Sequence, residues 1–284
     1  MFTTNPFDAL TSIISADTMQ MYVIVMAVLV AAGTILDMMH KKSAKYFFEN
    51  AEKAKANAKR TVSGGEKVSL AVGTLASEVL TSSEFCNPKR RISHLFTMYG
   101  FILFVAASAL LIFQCDTIST STLATMWHLG AVMLCIGGYW FWFFIRVDVN
   151  SEGAKWYKLV RADIFILSLL LTATFGLIWS YQQTNGGNVS DMGSTALFFG
   201  LFLIANTTLF STVMWSKFAH MFFKPAAAFQ KKTTVADGSR ENLPADYDPA
   251  DPAVQQRYPD IKEYMGTNPP NMGAGIRREP SNHY

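Results

Sequence analysis

Two histidines stand where long apolar segments meet basic residues. His220 closes Ser216-Lys217-Phe218-Ala219-His220, just before Lys224 and Pro225, at the end of the last apolar segment. His94 follows Lys89-Arg90-Arg91 and opens another. A neutral imidazole offers one nitrogen lone pair, and an ionisable side chain inside a membrane marks a functional site by default. One such ligand above and one below a porphyrin plane is the axial set of a b-type haem. The expected site is therefore one haem b near the basic side, its iron held by His94 and His220. Arg90, Arg91, Lys217 or Lys224 would neutralise its propionates. The alternative is that both imidazoles are interfacial and hydrogen-bond lipid headgroups.

The remaining candidates read more plainly. His40 ends the first apolar segment beside Lys41 and Lys42, the place of a snorkelling side chain, with replacement of either haem ligand or a role in a quinone pocket as the alternatives. His128 adjoins Trp127 near a segment end, an aromatic-belt position, and Trp140 to Phe144 reads as belt or lipid-facing packing. Arg146 with Asp148, and Arg161 with Asp163, flank a short loop and are expected to pair with each other or with a partner, a propionate contact from Arg161 or Arg146 being the alternative. Cys86, Cys115 and Cys135 stand singly, which argues against an iron–sulfur cluster, a zinc site or covalent haem attachment.

These residues need elements to hold them. Hydrophobic residues make up 50% of the 284 and charged ones 16%, and the apolar residues come in blocks, about 20–39, 94–114, 124–145, 161–181 and 195–222. Each reaches the roughly 20 residues that a helix needs to cross a bilayer. None alternates with period two, so the spans satisfy their backbone as helices and the fold class is all-α, a five-helix transmembrane bundle. The first block lacks a basic start and ends in Asp37-Met38-Met39-His40-Lys41-Lys42, which suits a permanent helix better than a signal peptide.

The segments before the first block, between the second and third, and between the fourth and fifth hold no Lys or Arg. By the positive-inside rule the N-terminus is expected outside and the C-terminal tail in the cytoplasm. The net charge of +3 then reflects topology, with no nucleic-acid patch. The expected organisation is an outer N-terminal segment 1–19, a transmembrane domain 20–224 with a cytoplasmic loop 41–93, and a Pro-rich tail 225–284. Within the loop, 45–60 and 68–80 have helical patterns; the alternative is a solvated loop with marginal helices. The tail has too few apolar residues to fold alone and either stays unstructured or lays anchors such as Tyr247, Tyr258 and Tyr264 on a soluble partner.

Five helices, with His94 opening the second and Ser216 to His220 with Pro225 closing the fifth, resemble the cytochrome b subunit of respiratory nitrate reductase. The likeness extends to its relatives in heterodisulfide reductases and quinone-interacting sulfur-metabolism complexes, over about residues 15–230. The general form is most similar to membrane-anchor subunits of dissimilatory adenylylsulfate reductase. The resemblance implies a multi-pass subunit of the bacterial cytoplasmic membrane that passes electrons between the quinone pool and a soluble cytoplasmic redox enzyme, without being catalytic alone. It implies His94 and His220 as inner-haem ligands. Phe104 and Phe202 stand where the family's outer pair of histidines would be, so at most one haem is implied. The competing reading is a haem-free structural anchor for a cytoplasmic complex. A small-solute transporter fits less well, since the spans lack a mid-membrane charge and paired broken helices.

Overall fold

The computed structural model describes residues 1–41, 43–83, 85, 87–114, 117–148, 153–240 and 251–259. Cys86, Cys115, Tyr247 and Tyr264 lie outside these. The regular elements are helical: α1 (Ala16–Lys41), α2 (Ser43–Lys55), α3 (Gly64–Thr74), α4 (Pro88–Ile112), α5 (Thr120–Trp140), α6 (Ile164–Thr184), α7 (Ser194–Ser211), α8 (His220–Asp237) and α9 (Pro252–Arg257). Five helical stretches are long and apolar enough to cross a membrane: Ala16–His40, Pro88–Ile112, Thr120–Ile145, Arg161–Thr184 and Ser194–Ser211. This is an all-α, multi-pass membrane protein. Met21, Ile24, Val28 and Ile35 of α1 face outward, an arrangement that costs free energy in water and none against lipid.

Local chemistry sets the helix starts. Asn87 accepts from the backbone N–H of Lys89 at 2.7 Å, and Pro88 occupies the first turn, where its missing N–H costs nothing. That cap starts α4 ahead of the apolar block, so His94 lies in its second turn. Ser119 caps α5 and Ser63 caps α3 in the same way. Ser63 with its two following glycines therefore opens a helix as well as ending the preceding stretch.

α4 and α5 pack antiparallel with their backbones almost touching. A Cβ on Gly130 would stand 2.6 Å from the Phe104 backbone nitrogen, and one on Gly137 2.6 Å from the Ser93 carbonyl. Small residues at such crossings replace the hydrophobic drive that lipid removes. Ser93 donates to the Gly137 carbonyl at 2.8 Å. α6 continues the sheaf through Gly138 against Leu170, and α7 through Trp179 on Phe199 and Phe202. α1 runs parallel to α7, where Tyr22 meets Thr207, and its Gly33 meets the turn that follows α7, where a Cβ would be 2.9 Å from Val213.

The fifth span differs from the sequence expectation. It ends at Ser211, and residues 212–219 form turns before α8 begins at His220. Thr208 and Thr212 bond back to carbonyls four residues earlier, and Ser216 accepts from the Phe218 N–H at 3.2 Å, so local side chains compete with the helical ladder. The run from Ser216 to His220 thus joins two helices instead of closing one.

The tail also differs, because α8 runs through Pro225 to Asp237 and ends on Gly238 at φ +81°. Packing overrides the proline here. Phe223 sits on Phe47 and Phe48 of α2, Lys232 lies 3.1 Å from Glu78, and Arg60 donates to the Ala236 carbonyl at 2.7 Å. α2, α3 and α8 make a helical layer at what we call the basic end of the bundle. The opposite end is plugged by residues 1–14, whose Phe7 and Leu10 are buried, Phe7 standing edge-on to Trp127 at 6.0 Å.

Candidate functional site

His94 is half-buried at the basic end, with Nδ1 3.0 Å from the Ser82 hydroxyl and its ring 4.8 Å from that of Phe85. The segment that brings Ser82 there is pinned along α4: Tyr99 donates to the Leu80 carbonyl and Arg91 to the Thr81 carbonyl, both at 2.7 Å. Arg91 is thereby engaged with backbone. Arg90 lies over the Phe85 ring at 5.3 Å.

His220 starts α8, and its Nδ1 bonds the Lys217 carbonyl, with the Phe165 ring 6.0 Å away. A carbonyl only accepts, so Nδ1 carries the proton and the basic lone pair sits on Nε2. Metal-binding histidines are commonly fixed in this way by a second hydrogen bond. The Ser82 hydroxyl can accept from His94 Nδ1 to the same effect. Lys224, one turn beyond His220, reaches over Phe85 at 5.5 Å, so the ring that touches His94 also touches the helix that begins with His220. Two imidazoles with Nδ1 hydrogen-bonded, beside Arg90 and Lys224 at one end of an apolar bundle, are of the ligand type that the iron of a haem b takes.

The other expected site residues fall at the same end but do not close on one point. Lys217 is exposed and His40 projects from the end of α1. Phe104 and Phe202 are buried and belong to an aromatic cluster, Phe104 on Trp127 at 4.9 Å and Phe202 on Trp179 at 5.5 Å.

His128 is not a belt residue. It is fully buried, donates through Nδ1 to the Ala124 carbonyl at 2.7 Å and accepts through Nε2 from Ser180 at 2.7 Å. With both nitrogens used it is a strut between α5 and α6. Its partner lies 52 positions away, a pairing that only the helix register reveals. Arg146 pairs with Asp163 at 2.6 Å, buried inside the loop between α5 and α6. Trp142 is buried beneath it while Phe143 and Phe144 face outward, so the aromatic run divides between packing and lipid. Cys135 lies beside Thr174.

Sequence reasoning also missed a cavity of about 650 Å³ between α1, α4 and α7. Its walls are almost wholly apolar, with one polar cluster: Tyr22 Oη is 2.9 Å from Thr207 Oγ1 and 3.0 Å from Asn206 Nδ2.

No family model, curated protein or solved structure matches the chain.

Proposed function

We propose that the chain is a haem b membrane subunit that anchors a soluble cytoplasmic redox enzyme and passes electrons between that enzyme and the quinone pool. The observation that carries the reading is His220, whose Nδ1 is committed to the Lys217 carbonyl, at the same end as His94, whose Nδ1 meets Ser82. When bound, the haem supplies a one-electron relay. The protein's part is to orient two imidazoles, to surround them with the aromatic rings of Phe85 and Phe165, and to place Arg90 and Lys224 where carboxylates need counter-charge. The basic layer of α2, α3 and α8 is the face offered to the partner, with the N-terminus on the far side of the membrane by the charge asymmetry of the loops. Adenylylsulfate reductase is the partner that the resemblance favours.

A haem-free anchor is the second reading, favoured by the exposure of Lys217 and of His40. A reduced-minus-oxidised spectrum with pyridine-haemochrome quantitation on the purified chain decides between them. About one haem b per chain, lost in His94→Ala and in His220→Ala, supports the electron carrier. A folded protein expressed with ample haem that binds none leaves the anchor.

A further inference from the structure

Resting on the quinone-linked reading above, we infer that the cleft between α1, α4 and α7 is the binding site of an isoprenoid quinone. Its head would hydrogen-bond at Tyr22, Asn206 and Thr207 and its tail would lie along the apolar walls. This is a different place from His40, the residue that the sequence offered for a quinone pocket.

The shape suits such a molecule. On α1 the lining runs from Thr18 to Val30, which at 1.5 Å per residue is a slot about 18 Å long. Phe7 and Leu10 close one end and Phe218, Met221 and Phe222 the other. That second end is formed by the segment that carries His220, so the slot abuts the proposed haem ligand. At its other end α1 is tied to α4 by Gln20, which donates to the Ile112 carbonyl at 3.3 Å. The slot lies between the two helices, on the face of α1 away from Ile24, Val25 and Val28, which face outward.

The polar cluster selects a quinone over an acyl chain. A hydrocarbon chain needs no hydrogen-bonding group, and a carboxamide in the apolar interior of a membrane is costly unless bonded. Among the described residues the Asn206 carboxamide makes one bond, from Nδ2 to Tyr22 Oη. Its second N–H and its carbonyl oxygen remain for a ligand. A quinone carbonyl accepts from an N–H or from the Tyr22 phenol, and a quinol hydroxyl donates to the carboxamide oxygen, so one cluster serves both redox forms. The volume holds a substituted ring with part of its isoprenoid tail, within the usual range for small-molecule sites.

The test uses the full chain in nanodiscs of dioleoyl phosphatidylcholine, titrated with decylubiquinone and menaquinone-4 and photolabelled with an azido-quinone. The expected result is saturable quenching of tryptophan fluorescence and label on α1 and α7 peptides. Loss of the hydrogen bonds in Asn206→Leu and in Tyr22→Phe should weaken binding about tenfold. Ala109→Phe, which fills the slot from α4, should abolish it; should that variant misfold, Asn206→Leu and Tyr22→Phe still decide. Unsaturable partitioning, label confined elsewhere, binding indifferent to both polar variants, or displacement by added phospholipid alone would overturn the proposal, the last marking an acyl-chain cleft. Haem-free protein that still takes the label sinks the electron-transfer reading and leaves this site standing. Haem-replete protein without label sinks this site alone.

Discussion

Arg146 donates to the Asp163 carboxylate at 2.6 Å across the loop that joins α5 to α6. The same guanidinium donates to the carbonyls of Lys155 and Lys158 at 2.8 and 2.7 Å and lies 4.3 Å above the Trp142 ring. Asp163 in turn accepts from the Val160 N–H at 2.9 Å, which sets the turn into α6. Residues 155–163 are therefore held around one buried cation. Arg146→Ala should destabilise the protein by about 3–5 kcal/mol, because it strands a buried carboxylate and two carbonyls. Arg146→Lys should recover only part, since an ammonium cannot reach acceptors on three sides in the geometry of a guanidinium. Thermal melting in detergent and proteolysis of residues 147–160 measure both; an unchanged melting temperature in Arg146→Ala would contradict the account.

Gly130 sets the closeness of α4 and α5. Its missing Cβ would otherwise meet the Phe104 nitrogen at 2.6 Å and the Gly100 carbonyl at 2.8 Å, both backbone atoms that cannot swing aside. Gly130→Ala should cost roughly 1–3 kcal/mol through overpacking. Gly200 on α7 has open space around it, so Gly200→Ala should be neutral or slightly stabilising and serves as the control. Equal melting temperatures for the two variants would show that the crossing can relax.

These contacts mark what the sequence could and could not convey. Block length and the missing period-two pattern were enough for five helical spans, because in lipid the backbone must satisfy itself within each segment. Helix ends were less legible. The fifth span stops at Ser211 through hydroxyl groups that bond back along the chain, and α8 passes through Pro225 because Phe223 and Lys232 find partners on α2 and beside α3. A composition argument treats that stretch as tail since it sees no partner. His94 and His220 stand out by their basic neighbours alone, whereas the burial of His128 and the Tyr22–Asn206–Thr207 cluster depend on register between helices distant in sequence.

His128 gives a test that separates scaffold from ligand. Since Ala124 and Ser180 occupy both its nitrogens, His128→Ala should leave haem content unchanged and lower stability by about 1–3 kcal/mol, the cost of an unpaired Ser180 hydroxyl plus a cavity beside Trp127. His94→Ala should show the opposite pattern, with haem lost at little cost in stability, for its ring is only half-buried. Parallel haem assays and melts on the two variants make the comparison. Loss of haem in His128→Ala with α4 and α8 intact would assign the iron to the wrong end of the bundle.

The join between α3 and α8 should respond to acid. Arg60 reaches Glu66 at 2.9 Å while its backbone N–H and that of Lys59 bond the Asp237 carbonyl, so one residue ties the start of α3 to the end of α8. The hydrogen bond from Arg60 holds the Glu66 carboxyl below its ordinary value, against the opposing effect of desolvation. A depressed carboxylate contributes stability that is complete above its unfolded pKa, about 4.3, and disappears as pH falls through the lower folded value. Amide exchange around 60–67 and 235–239, corrected for intrinsic rates, should therefore quicken between pH 5 and pH 3. The effect should be small and weakened by salt, because both groups are exposed to solvent. Glu66→Gln should show the same protection at both pH values. If the unmodified chain also shows no change, the pair does not hold the join, and the Lys59 and Arg60 backbone bonds to Asp237 with the Lys232–Glu78 contact do so without it.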